Sequence, residues 1–383
     1  MKNISKMFTV IALSAVIVFS MTACGDDPPK EIVINIPGIP GITAPVTGAT
    51  PVTSIDPTTQ YTGTVAWSPA ISGGSFAGEE EYTATITLTP TAGYTLQGVA
   101  ADSFTVAGGV AVNAANSGVV EVKFPVTEPV SFDVFYNESL IDTIELSSAL
   151  LAGVEEVILT STGGRELLAY LLTDILEAAG TPISAFSDVE AEDADGANIL
   201  DDFDIRKAYL VVARNDVAET YNPPRIIGDG TVEFANGAIR SGFVSLVFTP
   251  GAWEIPDDYE FGVDVFDDAD LLGVIEVDAL KYLKQIKWST SSDTGREYPG
   301  YMLTEVLESA GISIPINSTA TATSADLSES TPISDITNAA MVLARIDTGN
   351  ETILDYPRII ADATEEITNA TVRKGFDRLV FAQ

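Results

Sequence analysis

Apolar and polar residues alternate along the segment that follows residue 80. The four apolar residues Tyr82, Ala84, Ile86 and Leu88 alternate with four threonines. A period of two predicts a strand with one buried face. The same alternation continues through 120–126, and further strands are expected at 63–67 and, more briefly, at 104–106. Turns that contain glycine separate these segments at the spacing of a β-sandwich.

This strand-rich stretch also carries a resemblance. The segments TGTVAWSP, YTATITLTPTAGYTL, FTVAGG and AANSGVVEVKFP resemble an Ig-like module that recurs in bacterial surface proteins and lipoproteins. The resemblance implies a β-sandwich over residues 41–127 that acts as a spacer or adhesive unit. Trp67 is expected to fill its core beside Tyr82 and Phe124, since large aromatic side chains dominate small β cores.

The rest of the chain repeats itself. YLLTDILEAAG at 170–180 returns as YMLTEVLESAG at 301–311, a shift of 131 residues, and AYLVVAR returns as AAMVLAR. PPRII at 223–227 returns as YPRII, and RSGFVSLVF returns as RKGFDRLVF at a shift of 133. Because the order of the matches is kept, we interpret 130–249 and 259–383 as two copies of one fold, the first and second repeat.

The second repeat corrects how the first is interpreted. Residues before Gly180 look like one amphipathic helix, but Pro299 falls inside the matching stretch, and proline is excluded from helix interiors. We therefore expect a short helix with Thr173 and Thr304 as N-caps and with Gly180 and Gly311 as stops. Apolar strands are expected at 134–135 and 265–266, 210–212 and 341–343, and 246–248 and 379–381. Each repeat is thus predicted to be α+β, with more strand than helix.

The repeated pattern resembles the molybdopterin-binding domain of the sulfite oxidase superfamily. The resemblance rests on the Tyr-x-Leu-Thr-(Asp/Glu)-x-Leu helix segment ending in Ala-Gly, on the Asp-Gly at 195–196, and on the Pro-Arg-Ile-Ile segments at 224–227 and 357–360. It implies a fold of that kind in both repeats and a pterin cofactor. The arginines that could hold such a cofactor are Arg225, Arg358, Arg214 and Arg345.

Both repeats depart from that family where its chemistry lies. Catalytic members use a cysteine thiolate to ligate molybdenum, with His and Arg holding the pterin phosphate, yet neither repeat contains Cys or His. We therefore expect no cofactor and no catalysis, and a reuse of the fold for binding. Arg225 and Arg358 are expected to form salt bridges with carboxylates inside each repeat, with ligand contact as the alternative.

The N-terminus predicts export. Lys2 and Lys6 precede an apolar run at 7–19, too short to span a membrane, and MTAC then ends at Cys24. This order resembles a bacterial lipobox, so 1–23 is expected to be a lipoprotein signal peptide and Cys24 the lipidated residue. The protein would then be anchored to the cell membrane or outer membrane, on the exported side, through a flexible tether at 24–40.

Composition narrows the possible chemistry. The 383 residues include 55 Asp and Glu against 19 Lys and Arg, for a formal charge of -36, with one Cys and no His. Without His there is no Ser-His-Asp or Cys-His catalytic unit and no His-ligated metal. The negative charge repels phosphate backbones and so argues against nucleic acid as a partner.

Acidic clusters raise the possibility of calcium. The weak candidates are Asp193, Asp195, Asp267, Asp268 and Asp270. Asp-rich loops can supply the six to eight oxygens that calcium takes, but no stretch fits the twelve-residue calcium loop. A solvated acidic surface is the preferred interpretation, and Asp195-Gly196 is predicted to be a hairpin turn.

Together these patterns predict a multidomain envelope lipoprotein. An all-β Ig-like sandwich is expected first, followed by two β-rich α+β domains of the sulfite oxidase molybdopterin-binding type. The expected role is binding or display, with a protein or glycan of the envelope or surroundings as partner. The alternatives are a pterin-binding or redox-associated protein and a calcium-dependent adhesin.

Overall fold

The computed structural model describes residues 30–382 except 72, 182, 218, 257, 291–295, 314–318, 325–329, 348–349, 365–366, 369–370 and 374. Strands account for 45% of the residues and helices for 10%, distributed over several separate sheets. The protein is therefore β-rich and multidomain, as predicted.

The first module is built on one four-stranded antiparallel sheet. The module as a whole has six strands: β1 (Ile32–Val33), β2 (Tyr61–Ser68), β3 (Glu81–Pro90), β4 (Tyr94–Thr95), β5 (Val110–Asn113) and β6 (Val119–Val126). The sheet has the order β2-β3-β6-β5, while β1 and β4 form a separate parallel pair. Irregular segments complete the layer that faces the sheet.

The alternation seen in the sequence matches the burial of the sheet. In β3 the residues Tyr82, Ala84, Ile86 and Leu88 are buried, and the threonines between them are more exposed. Trp67 is partly buried, with its ring 5.7 Å from that of Phe124, and its Nε1 donates to the carbonyl of Val52. Trp67 thus packs on this core, as predicted.

The strand expected at 104–106 does not form. Phe104 and Val106 are buried as their pattern suggests, but Thr105 makes an isolated bridge to Gly38. The Thr105 N–H donates to the carbonyl of Pro37, and the Thr105 carbonyl accepts from the Ile39 N–H, so the backbone bonds of Thr105 go to the N-terminal segment and not to the main sheet. Burial was predictable here because it follows from residue type, whereas the pairing partner was not.

Residues 32–39, expected in the flexible tether, pack against the first module. Ile34 and Ile39 are buried in its core, and β1 pairs with β4. The Gln60 Oε1 atom accepts hydrogen bonds from the backbone N–H groups of Asn35 and Ile36, at 2.8 and 3.1 Å. The prolines and glycines of this stretch suggest a tether, but the isoleucines between them are apolar, and their burial stabilises the folded state.

The first repeat contains two sheets and two short helices. Its elements are β7 (Ser131–Tyr136), β8 (Ser139–Glu145), α1 (Ser148–Leu151), β9 (Glu156–Thr160), β10 (Glu166–Leu171), α2 (Leu172–Ala179), β11 (Phe186–Glu192), β12 (Asn198–Asp201), β13 (Tyr209–Arg214), β14 (Glu219–Ile227) and β15 (Ser245–Pro250). Short 3-10 turns at Ile205–Lys207 and Asn236–Ala238 connect them. The sheet orders are β12-β11-β15-β7-β8 and β14-β13-β10-β9, and β15 pairs with β7 in parallel.

The second repeat has the same topology. Its elements are β16 (Gly262–Asp267), β17 (Asp270–Glu276), a 3-10 turn (Val277–Leu280), β18 (Ile286–Ser289), β19 (Arg296–Met302), α3 (Leu303–Ser309), β20 (Thr319–Thr323), β21 (Ser330–Ile333), a 3-10 turn (Ile336–Asn338), β22 (Ala340–Asp347), β23 (Asn350–Ile360) and β24 (Arg378–Ala382). Its sheet orders are β21-β20-β24-β16-β17 and β23-β22-β19-β18. They match the orders β12-β11-β15-β7-β8 and β14-β13-β10-β9 of the first repeat strand for strand. The sequence repeat is therefore also a structural repeat.

The predicted N-caps of the helices are wrong. The helices begin at Leu172 and Leu303, so Thr173 and Thr304 lie inside the first turn, and no side chain caps either helix. Instead, the backbone N–H of Leu172 donates to the carbonyl of Ala208 at 2.9 Å, and the equivalent bond is present in the second repeat. Because both leucines are fully buried, packing and this backbone bond determine where each helix starts.

The predicted stops and turn are confirmed. Gly180 ends α2 in the left-handed region at φ 78°, and Gly311 follows α3 at φ 71°. Gly196, at φ 72°, closes the hairpin between β11 and β12, where Asp193 accepts hydrogen bonds from two backbone N–H groups of the turn. Glycine adopts this conformation without the steric cost that a Cβ adds.

Candidate functional site

Arg214 and Arg345 occupy equivalent positions and face equivalent aspartates. Arg214 Nε donates to Asp216 Oδ1 at 2.9 Å, and this hydrogen bond lowers the pKa of the Asp216 carboxyl. Arg345 Nε lies 2.8 Å from Asp347 Oδ2 in the second repeat. Both weak cofactor candidates are therefore paired with a carboxylate of their own repeat.

Arg225 stacks on an aromatic ring. Its guanidinium carbon lies 3.8 Å from the centre of the Tyr221 ring, the geometry of a cation–π contact. Among the described residues, the contact seen at Arg225 is this stack and not the carboxylate expected from the sequence. Arg358 stands opposite Val342 in its sheet, as Arg225 stands opposite Val211, so the two arginines share a register position.

The residues present do not fit molybdopterin. The family resemblance implies a thiolate ligand to molybdenum, together with His and Arg at the pterin phosphate, but residues 130–383 contain no Cys and no His. Arg214 and Arg345 are paired with aspartates, and Arg225 rests on Tyr221. Neither repeat offers the ligand atom that the family uses for molybdenum.

The calcium candidates lie in hairpin turns. Asp193 and Asp195 belong to the turn between β11 and β12, and Asp267, Asp268 and Asp270 lie at the turn between β16 and β17. Asp268 is in the left-handed region, at φ 52°. Within the described part of the chain, no group of three or more Asp, Glu, His or Cys is arranged to hold a metal ion.

Cys24, the predicted lipidation site, lies outside the described residues. Among those that the structure does describe, no helix is long and apolar enough to cross a membrane.

The two repeats meet at a buried junction that includes Trp253, a residue of the segment between them. Gln285 of the second repeat accepts a hydrogen bond from the Trp253 backbone N–H and donates one to the Trp253 carbonyl, both at 2.9 Å. Its own backbone N–H donates to the carbonyl of Phe186 in the first repeat, at 2.6 Å. Tyr282 reaches further and joins the hydrophobic core of the first repeat. These contacts hold the two repeats together at one junction.

A cleft opens beside this junction. It encloses about 400 Å³, and residues of both repeats line it: Leu171, Thr173, Arg206, Lys207 and Thr231 from the first, and Lys281, Tyr282, Glu308 and Ser309 from the second. We call it the junction cleft. Its volume falls within the range of small-molecule sites.

Three cations line the junction cleft of this otherwise acidic protein, and each is paired with a carboxylate. Arg206, Lys207 and Lys281 line it, against Glu308 as the acidic lining residue. Arg206 Nη2 lies 2.9 Å and Lys207 Nζ 3.3 Å from Asp204 Oδ2, while Lys281 Nζ lies 3.3 Å from Asp278 Oδ1. An ammonium group has three N–H donors, so one such ion pair leaves further donors directed elsewhere.

Tyr282 is the unusual residue of the junction cleft. It is 7% exposed, and its hydroxyl has no hydrogen-bond partner among the described residues. Its backbone is left-handed at φ 60°, which is rare for a bulky residue. Burial, followed by the charges of Glu177 and Asp174, raises the pKa of the Tyr282 hydroxyl, so the group keeps its proton and remains a donor.

Sequence reasoning missed this cleft, although one signal was present. Lys281, Lys284 and Lys287 recur at every third position in a chain that is poor in basic residues. Arg206 and Lys207 come from the first repeat, and nothing in the local sequence indicates that they meet Lys281. Only the docking of the repeats brings these side chains together.

A second cavity separates the first module from the first repeat. It encloses about 240 Å³ and is lined mainly by apolar groups, among them Pro129, Val130, Leu146 and Tyr221. Glu79 of the first module bridges the same interface and accepts a hydrogen bond from the Ser148 backbone N–H at 2.7 Å. The cavity presents few polar groups that could orient a ligand.

No known protein family, no curated protein and no solved structure matches this chain. Its functional assignment therefore rests on its own residues.

Proposed function

We propose that this protein is a lipid-anchored component of the bacterial cell envelope that binds a ligand through its tandem repeats and performs no catalysis. The observation that carries the binding role is the junction cleft, where both repeats contribute cations and hydroxyls to one open cleft. Ligand sites are frequently found at domain interfaces with a few convergent polar groups.

The membrane anchor is supported by the sequence around Cys24. The basic start, the apolar run and MTAC match the order that precedes lipidation in bacterial lipoproteins. Growing cells with an alkyne-labelled palmitate should label the wild-type chain and the matched control Thr22→Ala, but not Cys24→Ala. Label that persists in Cys24→Ala would refute lipidation at this residue.

The fold assignments belong to the same proposal. The four-stranded sheet at 61–126 and its facing irregular layer support an Ig-like spacer, which would hold the repeats away from the membrane. The repeated pair of sheets with one parallel contact supports the relation to the molybdopterin-binding fold. An experimental structure of the full chain that matched neither fold would refute these assignments.

The non-catalytic role is supported by the residue set. The repeats lack the thiolate and imidazole groups of the family they resemble, and their candidate arginines are paired or stacked. Metal analysis and a visible absorption spectrum of the purified full chain test this directly. Stoichiometric molybdenum or a pterin chromophore would refute the proposal in favour of a redox-associated protein.

A further inference from the structure

Equivalent edge strands of the two repeats expose apolar side chains. Eight large apolar residues in the described parts of the repeats are exposed, and five of them lie on β8 and β17: Leu140, Ile141, Leu271, Leu272 and Val274. β8 and β17 are the last strands of the two equivalent five-stranded sheets. Leu140 is 54% and Leu271 is 58% exposed. An exposed position can become polar at no cost to the core, so an apolar pair present in both copies indicates a contact surface.

The backbone of both strands is available along one side. β8 pairs with β7 alone and β17 with β16 alone, and in the described part of the chain no further backbone hydrogen bond reaches 139–145 or 270–276. A bulge at the same point of each strand leaves Ile141 and Leu272 without a residue opposite them. The regular stretches that follow, 142–145 and 273–276, present N–H and C=O groups at the outer edge. Such an edge is a template for an added strand.

The charges around both edges have one sign. The hairpin of β7 and β8, 131–145, contains four Asp and Glu and no Lys or Arg, and the hairpin of β16 and β17, 262–276, contains five and again no Lys or Arg. Arg378 of β24 lies beside the second hairpin, but its guanidinium rests on the Phe266 ring. Opposite charges on paired strands stabilise the pairing, so an added strand with basic side chains is favoured.

The same charges argue against two other occupants. A second copy of this chain would bring its own acidic hairpins and a formal charge of -36, and like charges on paired strands are unfavourable. An anionic membrane surface would repel the hairpins for the same reason. A basic segment of a different protein has neither disadvantage.

We propose that β8 and β17 each accept an extended segment of a partner protein that carries both apolar and basic residues. The backbone of this segment extends the five-stranded sheet, its apolar side chains cover the exposed leucines, and its cations face the hairpin carboxylates. Two equivalent edges in one chain give two sites, so a partner with two such segments binds more tightly than either segment alone. This interaction goes beyond the junction cleft, whose lining contains no residue of β8 or β17.

The first test uses the purified full chain and a fluorescent peptide with the sequence Lys-Thr-Val-Thr-Lys-Thr-Val-Thr-Lys. In a strand, its basic and apolar side chains fall on one face. At about 0.15 M NaCl, fluorescence anisotropy should show saturable binding of two peptides per chain. A control peptide with the same side chains and N-methylated amides cannot donate backbone hydrogen bonds, so it should bind at least about tenfold more weakly. Absence of saturable binding, or equal binding of the two peptides, would overturn the proposal.

Paired substitutions locate the sites. Leu140→Ser with Ile141→Ser should abolish binding at β8 and leave one peptide per chain. Leu271→Ser with Leu272→Ser should do the same at β17. The matched control is Ile158→Ser, which should still bind two peptides, because Ile158 is 45% exposed and lies on β9, another edge strand of the first repeat. If both double variants bind two peptides as wild type does, the assignment is wrong.

Two further measurements complete the test. All three variants should melt within about 2 °C of wild type, because substitutions at exposed positions change stability little, so lost binding is not lost folding. Sedimentation of the chain without peptide should show no association that depends on these leucines. A dimer that dissociates in the Leu140→Ser, Ile141→Ser variant would instead favour a second copy as the occupant and refute the proposal. None of these results bears on the junction cleft or on Cys24, so this proposal fails independently of the proposed function.

Discussion

Replacing Gln285 tests whether its side chain fixes the segment that connects the two repeats. The side chain is 4% exposed and exchanges two hydrogen bonds with the backbone of Trp253, each 2.9 Å long. A third bond, from Nε2 to the Tyr301 hydroxyl, is 3.4 Å long and contributes less. Gln285→Ala removes the partners of a buried backbone N–H and a buried carbonyl. At about 1–3 kcal/mol for each buried group, the expected loss for the two groups is about 2–6 kcal/mol.

Urea unfolding and hydrogen exchange measure this loss. Trp253 lies in the connecting segment, so in a chain with Trp67 and Trp288 replaced by Phe its fluorescence should report release of that segment at a lower urea concentration in Gln285→Ala. Amide exchange in peptides that contain Trp253 should accelerate by at least about tenfold, because about 1.4 kcal/mol corresponds to a factor of ten. Peptides from β3 in the first module should exchange at the wild-type rate.

The matched control is Lys284→Gln. Lys284 forms an ion pair with Asp202 across the same junction, but the two side chains are 42% and 67% exposed. Exposed pairs contribute at most about 1 kcal/mol. If Gln285→Ala unfolds within about 0.5 kcal/mol of wild type, or no more readily than Lys284→Gln, the buried contact does not fix the connecting segment and the reasoning is refuted.

Three further predictions concern the repeats themselves. Phe243→Ala and Phe376→Ala remove equivalent rings that are 0% and 2% exposed, so each should destabilise its own repeat by about 3–5 kcal/mol in urea unfolding. Gly300→Ala places a methyl group against the carbonyl oxygen of Met341, which is backbone and cannot move aside, so the second repeat should lose about 3 kcal/mol or more in melting experiments. For Asp204, burial acts to raise the pKa, but the hydrogen bonds and charge of Arg206 outweigh it and lower the pKa. Because the pKa is lower in the folded state, ionised Asp204 stabilises the fold above the ordinary Asp pKa, and this stabilisation is lost as the pH falls through the folded pKa. Asp204→Asn should therefore cost about 1–3 kcal/mol at pH 7, and the difference from wild type should close below about pH 4.

Each of these has a control and a contradicting result. Val110→Ala alters a side chain that is 71% exposed and should change stability by less than about 0.5 kcal/mol. Gly237→Ala meets no atom within 4 Å and should also be tolerated. A cost below about 1 kcal/mol for the phenylalanine variants, wild-type melting of Gly300→Ala, or an Asp204→Asn difference that stays constant from pH 7 to pH 3 would contradict the respective argument.

Local patterns determined much of the fold in advance. The alternation around Ile86 predicted a half-buried strand, and the repeated segments predicted two copies with one topology. Pro299 excluded a long helix and correctly indicated the strand that leads into α3. These features depend on residues close in sequence, or on similarity between two stretches of the same chain, so they can be seen without tertiary structure.

Features that depend on distant partners were misjudged. The helix start at Leu172 depends on a carbonyl from the turn before β13, and the segment around Thr105 depends on a bridge to Gly38. Ile34 and Ile39 looked like part of a tether because prolines and glycines surround them, yet they are buried in a core whose other residues come mostly from later in the sequence. In each case a non-local contact outweighed the local preference.

The same distinction between local sequence and distant contacts applies to the chemical groups of this protein. The sequence alone predicted an export segment that ends in a lipobox-like motif, and it determined an acidic composition and repeats without the Cys and His that their resemblance would require. Tertiary structure alone decided that Arg206 and Lys207 meet Lys281 and Tyr282 in one cleft. The physical reason is that this cleft belongs to neither repeat. It forms where Tyr282 is buried in the neighbouring core and where the backbone N–H groups of Tyr282 and Gln285 donate to carbonyls of the first repeat.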